Sequence, residues 1–297
     1  MNKIQRKLNQ YYEDVGIAPI PDMPVLNAIF AAFRCPNKDS CRNACQEAAQ
    51  GNVHFLARTE GVTISPYYKK RKYIGYRIPR IVVVSLSAPE PDFSSAENAE
   101  NTEREPLNPH WRGTTTTVRS LLRPFIELAP AENFGDESTR IIEQLFVHVR
   151  TAKCCSSAGG TNREPDIVYQ NCGPYLRKEL RILKPDVIVT QGNPAHEQAE
   201  QHVFDEIVQQ TATRSVQGLP NHIDSIARIV SLKGDGRRVY WLKTYFPNHI
   251  PPRNHFYRYN AGPKIASEAH LAGAHRKYLL RYGEDIQRFI NEESRYF

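Results

Sequence analysis

The pattern of apolar and polar positions changes period several times along the chain, and each change marks an element. Arg80-Ile81-Val82-Val83-Val84-Ser85-Leu86 is an unbroken β-branched run, the signature of a strand covered on both faces. Three shorter runs follow: Leu145 to Arg150, Val187 to Thr190 closing on Gln191-Gly192, and Arg238 to Lys243. Helical spacing separates them, at Thr117 to Leu128, at Ser138 to Leu145, at Cys172 to Leu183 with Leu176, Leu180 and Leu183 in register, and from near Pro194. Ahead of the first strand, residues 1–34 read as helical, with Leu26, Ile29 and Phe30 at helical spacing after breaks at Pro19, Pro21 and Pro24. Arg42 to Ala49 reads as a second short helix. Strands alternating with helices predict an α/β fold on a parallel sheet. Ligands of such sheets bind at the carboxyl ends of the strands. That rule selects Ser87–Asp92, Arg150–Cys155, Gln191–Asn193 and Tyr245–His249.

Charge and composition narrow the class of partner. Lysine and arginine number 39 against 32 acids, a net charge of +7, which favours a polyanion such as DNA through counterion release. Tyr67 to Tyr73 interleaves aromatics with Lys69, Lys70 and Arg71, a pattern suited to a strand that tracks phosphates and stacks bases. Residues 90–110 are acidic, polar and proline-bounded, and read as a long loop inserted after the first strand. Hydrophobic residues make up 40 %, and no apolar run approaches the roughly 20 residues that span a bilayer. The polar start, with no apolar signal segment, places the chain in the cytoplasm, as a monomer without membrane contact. Two parts are expected within one compact unit: residues 1–75, helical and carrying cysteines, packed on residues 76–297.

The six cysteines fall in three groups: Cys35, Cys41 and Cys45; Cys154 and Cys155; and Cys172. In a reducing compartment, grouped thiols ligate metal more often than they form disulfides.

Around these thiols the chain resembles the uracil-DNA glycosylase superfamily, closest to its iron–sulfur branch. The likeness is carried by Ala152-Lys153-Cys154, Asn162-Arg163-Glu164-Pro165, Cys172-Gly173-Pro174-Tyr175-Leu176 and Leu183-Lys184-Pro185-Asp186-Val187-Ile188-Val189, in that order. It covers roughly residues 35–260. It implies a three-layer α/β/α sandwich around a central, mainly parallel four-stranded sheet. It implies a 4Fe-4S cluster held by Cys154 and Cys172 with Cys41 and Cys45, Cys35 being the alternative, while a structural zinc on the same thiolates is the competing cofactor. It further implies a DNA glycosylase that flips out a pyrimidine and hydrolyses its N-glycosidic bond to leave an abasic site.

The same likeness assigns roles around the pocket. Ser87, Ala88 and Pro89 stand in the loop that bounds the base, and Trp111, in His110-Trp111-Arg112-Gly113, is the stacking platform. Arg150 occupies the family's base-reading asparagine position. Arginine only donates hydrogen bonds, so the pocket suits a modified or hypermodified cytosine as well as uracil. Such chemistry serves either repair or defence against phage with modified DNA. Ser87 and Ala88 replace the family's carboxylates, which moves the water-orienting role to Asp92 or Glu90, with His249 at the leaving base. Asn248 and Arg253 flank His249 on the DNA. The alternatives are a catalytically inactive DNA-binding protein of the same fold and, more remotely, an iron–sulfur redox protein. Against the last, the chain has no Gly-x-Gly-x-x-Gly dinucleotide loop.

Overall fold

The computed structural model describes residues 2–18, 33–49, 55–57, 62–86, 109–128, 137–156, 164–210, 227–244 and 268–293. All four strands expected from sequence form, and they lie side by side and parallel. β4 (Ile81–Ser85) sits between β5 (Phe146–Arg150) and β7 (Val187–Gln191), and β7 pairs on its far side with β10 (Arg238–Thr244). The expected four-stranded sheet is corrected in one respect. β9 (Ala227–Leu232) and β8 (Phe204–Gln210) extend it antiparallel, giving a mixed sheet of six strands in the order β5-β4-β7-β10-β9-β8.

Alternation along the strands divides the core in two. Val82, Val84, Val147, Val149 and Ile188 face one side, while Ile81, Val83, Phe146, Val187 and Val189 face the other. The first side is covered by α1 (Lys3–Asp14), α2 (Lys38–Ala49) and α6 (Asp166–Leu183). After α6 the chain forms β7, then the six-residue α7 (Asn193–Gln198) and a π-turn at Ala199–Val203 that leads into β8. The second side is covered by α4 (Pro109–Leu122), α5 (Glu137–Glu143) and the long α8 (Glu268–Glu293). α8 crosses α4 at Gly283, where a Cβ would stand 2.7 Å from the Leu121 carbonyl oxygen. Only glycine permits that approach.

Three small pieces complete the chain described. β1 (Phe55–Ala57) pairs antiparallel with β6 (Cys154–Ser156), so the N-terminal region is tied to the cysteine loop by main-chain hydrogen bonds. The Tyr67–Tyr73 stretch is not a single strand. It is a short helix, α3 (Pro66–Lys70), capped by Ser65, followed by the hairpin β2 (Lys72–Tyr73) and β3 (Tyr76–Arg77). Among the described residues no helix is long and apolar enough to cross a membrane.

Candidate functional site

Five thiols are buried on the α6 side of the sheet: Cys35, Cys41, Cys45, Cys154 and Cys172. α6 carries Cys172 and contacts Cys41 and Cys35. Asn171 Nδ2 donates to Cys41 Sγ at 3.3 Å, and the Tyr175 hydroxyl stands 3.8 Å from Cys35 Sγ. The Lys153 amide donates to Cys172 Sγ at 3.4 Å, and Cys154 follows directly on that amide. Cys45 Sγ lies 3.6 Å from the buried Glu164 carboxylate just before α6. Burial pushes the Cys172 thiol up to about 12; the Lys153 amide and ammonium oppose the rise, and Cys41 and Cys35 add to it. Cys41 is raised in the same way, burial first, with Asn171 opposing. Among the described residues, no three His, Cys, Asp or Glu side chains are grouped to hold a single metal ion.

Beside the thiols lies a buried ion pair. Lys153 Nζ meets Glu179 Oε2 of α6 at 2.5 Å, with the two side chains 3 % and 0 % exposed. The same ammonium donates to the Arg150 carbonyl. The pair therefore ties the end of β5 to the helix carrying Cys172.

Polar side chains concentrate at the carboxyl ends of the parallel strands. Ser85 closes β4 fully buried, its Oγ 2.7 Å from His148 Nε2 on β5, and Thr151 returns both its amide and its hydroxyl to the Ser85 carbonyl. Gln191, 1 % exposed, closes β7 and accepts from Thr114 Oγ1 of α4 at 3.1 Å. Thr244 closes β10, donating to the Thr190 carbonyl at 3.1 Å. Counting alternate residues from Ile81, Phe146, Val187 and Leu242 puts Ser85, His148, Arg150, Gln191 and Thr244 on one face. That is the face α4 covers. On the opposite face Thr190 Oγ1 takes the Trp241 indole N–H at 2.9 Å and meets His196 Nδ1 at 2.7 Å, which fixes β7 against β10 and α7.

No protein-family model matches this chain, and no curated protein matches it either. Geometry alone therefore carries the assignment of the site.

The structure unites some of the residues expected from sequence and separates others. Arg150 ends β5, half-buried, on the face just described. Trp111 lies in the first turn of α4, three residues before Thr114. Ser87, Ala88, Pro89, Glu90 and Asp92 lie outside the described residues, as do Asn248, His249 and Arg253. Lys69, Lys70 and Arg71 stand apart. They precede β4, and Arg71 pairs with Asp186 at 2.9 Å ahead of β7, so they occupy the amino-terminal edge of the sheet, opposite the strand-end face. The Ser85–His148 and Thr114–Gln191 pairs are not foreseen from sequence. Their signal is a polar residue at the end of an apolar run, which is also how any strand ends.

Proposed function

We propose that this chain is a DNA glycosylase that flips a pyrimidine into the strand-end face beneath α4 and hydrolyses its N-glycosidic bond. The observation carrying the reading is the gathering of Ser85, Arg150, Gln191 and Thr244 at the ends of four adjacent parallel strands, on one face with His148 in mid-β5. An extruded base needs a flat stacking surface and convergent polar groups on its edge. α4 carries Trp111 one turn before Thr114, and the strands bring the polar groups. Arg150 lies two strands from Gln191, across β4, about 10 Å at ordinary strand spacing. Ser85 of β4 and Thr114 of α4, both fully buried, lie at that face, so α4 must lift for a base to enter. Arg150 supplies donors only, and the Gln191 carboxamide supplies its N–H donors beyond its bond to Thr114. Cytosine, with adjacent acceptors at N3 and O2, and its hypermodified forms suit such an edge better than uracil does.

Hydrolysis then needs a carboxylate at the sugar to orient water and a donor to the leaving base. Asp92 or Glu90 takes the first role and His249 the second, with Asn248 and Arg253 on the flanking phosphates. The sheet with helices on both faces is consistent with the three-layer α/β/α sandwich of the uracil-DNA glycosylases. We assign a 4Fe-4S cluster to Cys154 and Cys172 with Cys41 and Cys45, Cys35 being the alternative N-terminal ligand; these thiols are buried on the α6 side of the sheet, and among the described residues they are not grouped around one point. A structural zinc on the same thiolates is the competing cofactor. When bound, such a centre cross-links segments and takes no part in bond cleavage. In this account the chain is a cytoplasmic monomer that acts on phage DNA containing modified cytosine.

Incubation with duplex and single-stranded DNAs carrying uracil, 5-hydroxymethylcytosine or glucosylated hydroxymethylcytosine, followed by alkaline cleavage, tests the reading. Strand breaks at a modified cytosine are expected, lost in Asp92→Asn and reduced at least tenfold in Gln191→Leu. Binding to all of these DNAs without any break would instead support the inactive DNA-binding protein, which the replacement of the family's carboxylates by Ser87 and Ala88 favours.

A further inference from the structure

The β2–β3 hairpin carries a residue that its own backbone disfavours. Tyr73 pairs with Tyr76 and Lys72 with Arg77, leaving Ile74 and Gly75 as a two-residue turn with φ of 41° and 85°. Two positive φ values define a turn type that asparagine and glycine enter readily. A β-branched residue enters it only under strain. Ile74 returns nothing to the core for that strain, since it is 73 % exposed at the tip. Tyr76 beside it is 50 % exposed.

Cations lie along the hairpin and the helix that leads into it. Lys69, Lys70, Lys72 and Arg77 are exposed, and among the described residues none of them has a carboxylate partner. The hairpin is held firmly at its root. The Arg71 guanidinium pairs with Asp186 at 2.9 Å, the Ile78 amide donates to the Arg71 carbonyl at 3.0 Å, and Arg80 donates to the Lys69 carbonyl at 3.0 Å. Tyr67 and Tyr73 pack edge to face with centroids 5.2 Å apart, and the buried Tyr68 hydroxyl donates to the Leu183 carbonyl at 3.1 Å. Such anchoring presents the tip as a rigid wedge.

We propose that this hairpin is a second DNA-binding surface, with Ile74 wedging at a base step, Tyr76 stacking beside it, and Lys69, Lys70, Lys72 and Arg77 on the flanking phosphates. Apolar wedges set among basic residues are the recurring device for gripping a duplex in this way. A single isoleucine buries too little apolar surface to hold a protein on a bilayer, even with basic support. The strand β4 separates the hairpin from the strand-end face by its five residues, about 16 Å at 3.3 Å per residue. The hairpin therefore engages a stretch of duplex other than the one whose nucleotide is excised. It does not depend on excision.

The test is fluorescence anisotropy with a duplex of about three helical turns containing only ordinary bases, over a potassium chloride series, with sedimentation on phosphatidylserine vesicles in parallel. Ile74→Asn relieves the turn strain, so its unfolding midpoint should equal or exceed that of the unaltered chain while duplex affinity falls roughly tenfold. Lys70→Glu combined with Arg77→Glu should weaken binding further and reduce the salt slope by about 1.8, near 0.9 for each phosphate no longer neutralised. Duplex binding unchanged in both variants overturns the proposal, as does loss of vesicle binding with duplex binding intact. If the chain excises no base from any DNA yet both variants lose duplex affinity, the hairpin surface stands and the glycosylase reading falls.

Discussion

Lys153 and Glu179 show what a buried pair demands. Removing one partner leaves the other charge in a site that water cannot reach, which typically costs about 3–5 kcal/mol. Glu179→Ala should therefore shift the urea midpoint sharply down, and adding Lys153→Met to it should recover most of the loss. Equal loss in the single and double variants would mean that the pair is not isolated from solvent. His202 makes a second residue-scale prediction. Its ring packs on Gly173 of α6, leaving no room there for a Cβ, and its Nε2 is buried without a hydrogen bond among the described residues. Burial, then the Lys233 and Arg177 charges, lowers its pKa. The unfolded chain therefore binds the proton first, so the His202 contribution is complete above about pH 6.5 and declines as pH falls toward the depressed value. Stability measured from about pH 7 to pH 5, the range in which histidine titrates, should fall less steeply in His202→Gln. An unaltered slope would place the titrating group elsewhere.

Two helices set the geometry of the site from opposite faces of the sheet. α6 holds the thiols although Pro174 lies in its interior, where the missing amide leaves the Gln170 carbonyl without its helical donor. The element persists because Leu176, Leu180 and Leu183 are fully buried against the sheet. α4 is held by α8 through the Gly283 crossing, so Gly283→Val should lower thermal stability by about 1–3 kcal/mol, the usual range for overpacking. It should also slow excision by displacing Trp111 and Thr114. A melting temperature equal to that of the unaltered chain would contradict the close crossing. α6 is legible in the sequence from its leucine spacing, though it begins at Asp166, six residues ahead of the expected Cys172 start. α4 starts earlier than expected, because the threonine run Thr114 to Thr117 gives no apolar stripe. α8, 26 residues long, is hidden because its apolar positions are spread among charges and histidines. β8 and β9 are hidden for another reason: the parallel α/β pattern leads one to seek buried runs, and Phe204–Gln210 is an edge strand with exposed Ile207 and Val208.

For the molecule as a whole, hydrophobic period is enough to find the four parallel strands and where each ends. The site itself is legible only where a residue type is rare, as for cysteine, or where a strand end fixes its position, as for Arg150. Side-chain pairs such as Ser85–His148 and Thr114–Gln191 depend on which strands lie side by side, and no linear pattern records that. The five buried thiols make a whole-molecule prediction. Protein purified without oxygen should contain iron and acid-labile sulfide in equal amounts, and Cys172→Ser should lose both along with several degrees of thermal stability. Zinc in their place would assign the thiols to a structural ion. The most direct test of the account is the identity of what leaves the DNA. With duplex carrying the cleaved modified cytosine, mass spectrometry of the small-molecule fraction should find the free base, in amounts matching the abasic sites formed. A released nucleoside or nucleotide, or no released species at all, would contradict glycosidic hydrolysis at the strand-end face.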